Sequence, residues 1–241
     1  MCAERIDDLN LDGLKIIQRV NGYGFTSDSV LLANFVKAKK ADKCVEIGTG
    51  CGIISILVAY KEKPKQIFAF EIQKKTGELA KRNVELNNMH GQIEIVVDKI
   101  QNHRKYIEDG GVDVVFCNPP YFKYDSNVCG ENEERVYSRF DKFLPPCDLF
   151  ECSSRMLKFG GKIFFVNDSA RLTECFAEMK KVNLSPKRIY FVHPNGSKNS
   201  TVFLCEAVKG GKEGLIVMPP LFTNNLDGDY VQTIQKLYKG E

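Results

Sequence analysis

The sequence predicts an α/β fold in which a mostly parallel seven-stranded sheet is flanked by helices and preceded by a small cap. Three observations carry that expectation. Short β-rich runs alternate with longer helical ones from Lys43 to Ala207, three glycines crowd one strand-to-helix junction, and the segments 1–40 and 210–241 fall outside the alternation. A chain of 241 residues, 43% hydrophobic and 27% charged, has room for one such domain with embellishments.

In the cap, LKIIQ (14–18) reads as a strand, VNGYGF (20–25) as a glycine-rich turn, and SDSVLLANFVK (27–37) as a helix N-capped by Ser27 or Asp28. In the core (43–207) the strands are KCVEIG, QIFAFE, IEIVV, VDVVFCN, KIFFVN, RIYFV and TVFLCEAV, each short, apolar and rich in β-branched or aromatic residues. Between them, residues 53–60 and KKTGELAKRNVELNN (74–88) read as helices. So does CDLFECSSRMLKFGG, which ends on Gly160 and Gly161 as a C-cap. The stretch 123–143, rich in charge and poor in aliphatics, reads as a mobile loop. Residues 210–241 form a C-terminal extension.

Composition excludes several classes. No run approaches the roughly 20 apolar residues of a membrane span, and MCAERIDDLN is too charged for a secretory segment, so a cytoplasmic protein is expected. The nine cysteines include no C-x-x-C pair, and Cys44, Cys117 and Cys205 sit inside apolar runs, which suggests buried thiols rather than disulfides or zinc ligands. His90, His103 and His193 share no helical spacing, and no metal is expected. A net charge of +3 leaves the partner open; KAKKADK (37–43), KEKPK (61–65) and SPKRIY (185–190) read as solvated lysine-rich ends rather than a polyanion site.

The glycines Gly48, Gly50 and Gly52 lie between a strand and a helix, where glycine permits a sharp turn and close approach of a ligand to the backbone. The spacing E-x-G-x-G-x-G differs from the G-x-G-x-x-G of dinucleotide sites, and Glu46 would repel a pyrophosphate but attract a sulfonium or ammonium. The pattern resembles the first motif of Rossmann-like S-adenosylmethionine-dependent methyltransferases. Glu71, with Ile72 beside it, ends the next strand where a carboxylate accepts from both ribose hydroxyls. The resemblance implies that Asp98, ending the third strand, accepts from the adenine amino group of the cofactor.

The fourth strand runs into Asn118, Pro119, Pro120, Tyr121 and Phe122. Each proline fixes its own φ and restricts the residue before it, so the Asn118 side-chain oxygen and the Pro119 carbonyl can be aimed at one point. A planar amine is a poor nucleophile because its lone pair is delocalised. Two fixed acceptors on its hydrogens favour pyramidalisation and return the lone pair to nitrogen, without a general base. Tyr121 offers a ring on which an unpaired base can stack.

The N-P-P-Y stretch resembles amino-methyltransferases acting on adenine or on a glutamine side-chain amide. ERIDDLNLDGLKIIQ, GFTSDSVLLANF, VEIGTGCGIISILVA, FEIQ, NPPYF, FVHPNGSKNSTVFLCEAVKGG and the late PPL (219–221) resemble the bacterial valine-tRNA adenine-N6-methyltransferase family. That resemblance implies a class I methyltransferase fold, S-adenosylmethionine as cofactor, and tRNA as substrate, modified at the adenine 3′ of the anticodon by a monomer. It implies that Phe25 and Thr26 line the cofactor pocket and that Asp28 caps the helix beside it. After the N-P-P-Y loop, where the family has Arg-His-Glu, this chain reads Arg139, Phe140, Asp141; Arg139, with Lys123 and Arg135, could pair with RNA phosphates. Three alternatives stay open: a ribosomal-RNA methyltransferase, a protein-glutamine methyltransferase, and a non-catalytic module binding RNA or cofactor. A nicotinamide-dependent oxidoreductase is contradicted by Glu46 and the loop spacing.

Overall fold

A computed structural model describes residues 3–20, 24–124, 136–137 and 139–224. In chain order the elements are β1 (Glu4–Asp8), β2 (Lys15–Arg19), α1 (Ser27–Phe35), β3 (Lys43–Ile47), α2 (Ile53–Glu62), β4 (Gln66–Phe70), α3 (Lys74–Leu86), β5 (Ile93–Val96) and β6 (Val112–Cys117). They continue as α4 (Pro146–Met156), β7 (Leu157–Asp168), α5 (Leu172–Lys181), β8 (Leu184–His193), β9 (Val202–Lys209), β10 (Ile216–Val217) and β11 (Leu221–Phe222). The main sheet runs β10-β8-β9-β7-β6-β3-β4-β5, with β11 also paired to β8; only β9 lies antiparallel to its neighbours.

All seven core strands expected from the sequence are present. The structure adds β1, paired antiparallel with β2 in a separate hairpin, and the short β10 and β11 at the sheet edge. The two-residue β10 and β11 have no period to read, and β1 is exposed along almost its whole length, so it carries no apolar alternation.

Alternate residues of each strand feed opposite faces, as the pleat requires. Cys44, Val114, Phe116, Phe164 and Val166 join α1 and α2 in one core layer, whereas Val45, Ile47, Val115, Cys117 and Phe165 join α4 and α5 in the other. Adjacent residues of β7 show the split: Phe164 meets Phe35 edge-on at 5.4 Å, and Phe165 meets Phe150 at 5.1 Å. Both rings are fully buried, and truncating either to alanine is expected to cost ~3–5 kcal/mol. Burial on both sides explains why these strands read as continuous apolar runs.

Two local expectations are corrected. Helix α1 starts with Thr26 at the N-cap position, held by the Ser29 amide on the Thr26 carbonyl at 3.1 Å, so neither Ser27 nor Asp28 caps it. The Gly160–Gly161 pair does not end α4, which stops at Met156. Instead β7 begins at the buried Leu157, and the glycines fall where its pairing with β6 slips from Val112↔Leu157 to Val114↔Lys162. Gly160 takes φ +80° there, a bulge conformation that suits glycine. Among the described residues, no helix is long and apolar enough to cross a membrane.

Candidate active site

Strand β3 pairs with β4 on one side and β6 on the other, so the connections leaving β3 and β6 diverge and open a crevice at the carboxyl ends of the strands. A cavity of about 360 Å³ occupies that place, within the range of small-molecule sites. It is lined by Phe25, Gly48, Gly50, Glu71, Ile72, Asp98, Asn118, Pro119 and Pro120, which are nine of the residues selected from the sequence.

The glycine loop forms one wall. The amides of Gly48 and Thr49 both donate to the Phe70 carbonyl at 2.9 Å, fixing the loop across the sheet. Gly48, Gly50 and Gly52 have φ of +73°, +57° and +90°, so the turn needs residues without a Cβ. A Cβ built on Gly48 or Gly50 meets no protein atom within 4 Å, because the space above the loop is the cavity itself. At Gly52 a Cβ would instead lie 3.6 Å from the Ala80 Cβ of α3, and Gly52 does not line the cavity.

Glu46 occupies a different position from the one expected. It is fully buried beneath the loop and does not line the cavity, so it does not face a cation directly. One oxygen accepts from the Thr49 hydroxyl at 2.7 Å, the Ser55 amide at 3.1 Å and the Ser55 hydroxyl; the other is buried without a partner. Desolvation pushes this carboxyl up to about 7, against the pull of the Ser55 and Thr49 hydrogen bonds. Glu46 therefore braces the loop from behind.

Glu71 does face the cavity. Its two oxygens accept from the Gly50 and Gln73 amides, each at 2.9 Å, which fixes the carboxylate at the cavity wall, where it can accept from a vicinal diol. Burial raises its carboxyl pKa, opposed by those amide bonds. Asp98 is more heavily engaged, taking donors from the Lys99 amide (2.8 Å), Asn102 (2.6 Å), Lys105 (3.1 Å) and Tyr106 (3.2 Å). Despite its partial desolvation, those bonds bring its carboxyl down to about 2, and a ligand amine would have to displace an exposed partner such as Lys105.

The opposite wall is the loop after β6. Asn118 Nδ2 donates to the Ser29 hydroxyl at 3.1 Å, and its Oδ1 lies 2.9 Å from the Tyr121 hydroxyl, which is also 3.0 Å from Asp28 Oδ2. Tyr121 shares its one proton between Asp28 Oδ2 and Asn118 Oδ1 and so holds the amide in place; the remaining lone pair of Asn118 Oδ1 can accept from a substrate donor. Asp28, expected as a helix cap, instead links α1 to this loop; burial raises its carboxyl pKa while Tyr121 and Ser27 pull it down. Tyr121 does not line the cavity: its ring packs on the core beside α1 and α2. Thr26 lies just outside as well.

Sequence reasoning missed three further residues. Gln18 accepts from the Phe25 amide at 3.1 Å and so places that ring at the cavity. Asn83 of α3, fully buried, donates to the Cys51 carbonyl at 2.9 Å and bonds both the amide and carbonyl of Ile17, joining the hairpin to the glycine loop. Arg171 is buried, donates to the Tyr121 carbonyl at 3.1 Å and pairs with Asp141 (2.7 Å) and Glu174 (3.1 Å). An arginine within the strand-to-helix step DSARLTE was the only available signal. Of the residues expected to meet a polyanion, Lys123 pairs with Glu174 at 3.4 Å, Arg139 lies over the Phe122 ring at 5.5 Å, and Arg135 lies outside the described residues.

The donor set fits S-adenosylmethionine: open backbone over two glycines, the Glu71 carboxylate fixed at the cavity wall, and an apolar lining from Phe25 and Ile72. Comparisons with known proteins agree with this geometry. The chain is similar to a tRNA1(Val) (adenine(37)-N6)-methyltransferase of Dyadobacter fermentans, 27% identical over 151 residues, covering 61% of each chain. A relative of the same name from Christiangramia forsetii is 26% identical over 184 residues, covering 73% of this chain and 72% of its own. The matched segment thus spans about three fifths of the first relative's length.

Among solved structures, a predicted O-methyltransferase from Agrobacterium tumefaciens superposes with a TM-score of 0.71 at 19% identity, covering 88% of this chain and 96% of its own. A geranyl diphosphate C-methyltransferase from Streptomyces coelicolor, solved with S-adenosyl-L-homocysteine, gives 0.57 at 13% identity, covering 74% and 80%. These likenesses establish a Rossmann-like class I methyltransferase fold. The model of the methyltransferase small domain matches residues 25–184, from the ring at the cavity mouth to the start of β8, and the chain belongs to that family.

Proposed function

We propose that this protein is an S-adenosylmethionine-dependent tRNA methyltransferase acting on the exocyclic N6 amine of the adenine 3′ of the anticodon in valine tRNA. The observation that carries the reading is the Asn118–Pro119–Pro120 wall, facing the glycine loop and Glu71 across one cavity. The names of the relatives supply the substrate.

In this reading the cofactor supplies an electrophilic methyl group on a sulfonium. Glu71 would accept the ribose hydroxyls, the Gly48–Gly50 backbone would hold the methionine portion, and Phe25 and Ile72 would cover the apolar surface. Asn118 Oδ1 and the Pro119 carbonyl would accept the two hydrogens of the target amine, so its lone pair would be localised on nitrogen for attack on the methyl group. The bound cofactor would give its methyl group to that nitrogen, the sulfonium becoming a thioether, and the extra proton on nitrogen would pass to solvent. No base acts before transfer, since the acceptors stabilise positive charge as it develops. Asp28 and Ser29 hold the Asn118 amide in register through Tyr121 and directly.

The test is a set of parallel single-turnover assays with methyl-labelled cofactor and unmodified valine tRNA, ribosomal RNA or a glutamine-bearing protein, followed by mass mapping of the labelled product. Label in N6-methyladenosine at the nucleotide 3′ of the anticodon is the expected result. Label in ribosomal RNA alone, or in a glutamine amide of a protein, would move the function to those substrates.

A further inference from the structure

Tyr121 packs inward, but the residues just after it do not. Phe122 is 49% exposed and Tyr124 36% exposed, a large aromatic surface beside the cavity. Each carries a cation: the Arg139 guanidinium lies 5.5 Å from the Phe122 centroid, and Lys142 Nζ lies 4.6 Å from that of Tyr124 and 5.4 Å from that of Phe143. Phe140 joins the group, with its ring 6.2 Å from Phe122 and 6.5 Å from Tyr124. Phe140 and Phe143 also line the cavity, so the aromatic strip runs unbroken from its mouth outward.

The strip is held rigid. Phe122 and Phe140 form a parallel bridge, in which the Phe122 amide donates to the Arg139 carbonyl at 3.0 Å and the Asp141 amide to the Phe122 carbonyl at 2.9 Å. Asp141 uses one oxygen to accept from the Tyr124 amide at 2.8 Å and the other to pair with the buried Arg171. The two nearby carboxylates, Asp141 and Glu174, are thus engaged with Arg171. Among the described residues, neither pairs with Arg139 or Lys142, which remain available to anions.

We infer that Phe122, Tyr124, Arg139 and Lys142 form a stacking platform for the unpaired nucleotides that flank the target base in single-stranded RNA. This rests on the RNA reading above and deepens it. Preordered aromatic faces interleaved with cations suit a ladder of bases joined by phosphates, because every base offers a π face and a guanidinium layered on a ring extends the stack. A protein amide substrate would use neither the rings nor the paired spacing of ring and cation. The platform also separates two contributions: the rings supply affinity that is nearly independent of salt, and the cations supply the part that salt screens.

The experiment titrates wild type with a fluorescent single-stranded RNA heptamer bearing a central adenine, its duplex, and a glutamine-bearing peptide, at several salt concentrations. The main variant is Phe122→Leu/Tyr124→Leu, which keeps apolar packing on Phe140 and removes the π faces; cofactor affinity reports that the fold is intact. Heptamer affinity is expected to fall ~10- to 100-fold with the salt slope unchanged. Arg139→Gln/Lys142→Gln should lower the slope by about 1 to 2. Heptamer binding by the Leu variant equal to wild type, or wild-type preference for the duplex or the peptide, overturns the platform. Methylation by wild type, assayed in parallel, keeps the two readings apart. An RNA methylated at N6 with an unchanged KM in the Leu variant sinks the platform alone, whereas no methylation of any RNA sinks the function.

Discussion

The two walls of the cavity are held in different ways. On the glycine side the bonds are mostly backbone to backbone or reach a nearby carboxylate: Gly48 and Thr49 to Phe70, Gly50 to Glu71, Ser55 to Glu46 nine residues before it. On the Asn118 side they are side-chain links between distant parts of the chain, spanning 89 residues from Asn118 to Ser29, 93 from Tyr121 to Asp28 and 50 from Arg171 to Tyr121. The first wall follows from two adjacent strands and a turn. The second exists only when α1, the β6 loop and the end of β7 are docked together. The proposed function assigns cofactor binding to the first wall and orientation of the target amine to the second, so the two should be separable by mutation.

The largest expected effect is at Asn118. Asn118→Ala removes one of two acceptors for the target amine and should lower turnover ~10²- to 10³-fold, while cofactor affinity stays near wild type. Single-turnover rates and calorimetry measure both; equal losses in the two would mean that the walls do not divide the work.

Next comes Glu46, which braces the glycine wall from behind. Its carboxyl sits at about 7 in the folded protein against 4.5 ordinarily, so the native state binds its proton more tightly than the unfolded chain. Its contribution to stability is therefore fullest below about pH 4.5, declines as pH rises towards 7, and is level above that. A shift of this size is worth ~3 kcal/mol, and Glu46→Gln should abolish that part of the decline. Urea unfolding at intervals from pH 4.5 to 8 tests this, and parallel profiles for the two proteins would refute it.

A smaller effect is expected at Glu71. Glu71→Ala should weaken cofactor binding by ~1–3 kcal/mol, through lost ribose acceptors and a loosened Gly50 amide. Turnover at saturating cofactor should suffer less. Unchanged affinity in calorimetry would remove Glu71 from the binding site.

The smallest is Ser29→Ala, which deletes the acceptor that orients the Asn118 amide and should slow transfer by ~3- to 10-fold. Ser29→Thr keeps the hydroxyl and should restore the rate. A loss seen only in cofactor affinity would assign Ser29 to cofactor binding rather than to the orientation of Asn118.

Much of the glycine wall was legible in the sequence. Phase alternation placed all seven core strands, and the spacing of Gly48, Gly50 and Gly52 announced a turn that the positive φ values require. Glu71 at a strand end was placed at the cavity. Glu46 was misread because periodicity does not say on which side of a loop a carboxylate lies: β3 is buried on both faces, and Glu46 points beneath the turn where Thr49 and Ser55 hold it. Asp28 was misread in a similar way, since an acid at a helix start is ordinarily a cap, yet here a longer-range partner, Tyr121, takes its carboxylate.

The sequence by itself determined the strand order's raw material, the glycine turn and the stiffness of the Asn118–Pro120 step, because each depends on residues within a few positions of one another. Only the tertiary structure decided how that step is aimed. The Asn118 amide has no preferred direction until Ser29 and Tyr121 reach it, Tyr121 is fixed by Asp28, and its carbonyl is held by Arg171, which enters from the far end of β7. Such contacts leave no period or spacing in the chain, since the energy of a hydrogen bond depends on distance and angle in space and not on separation along the sequence.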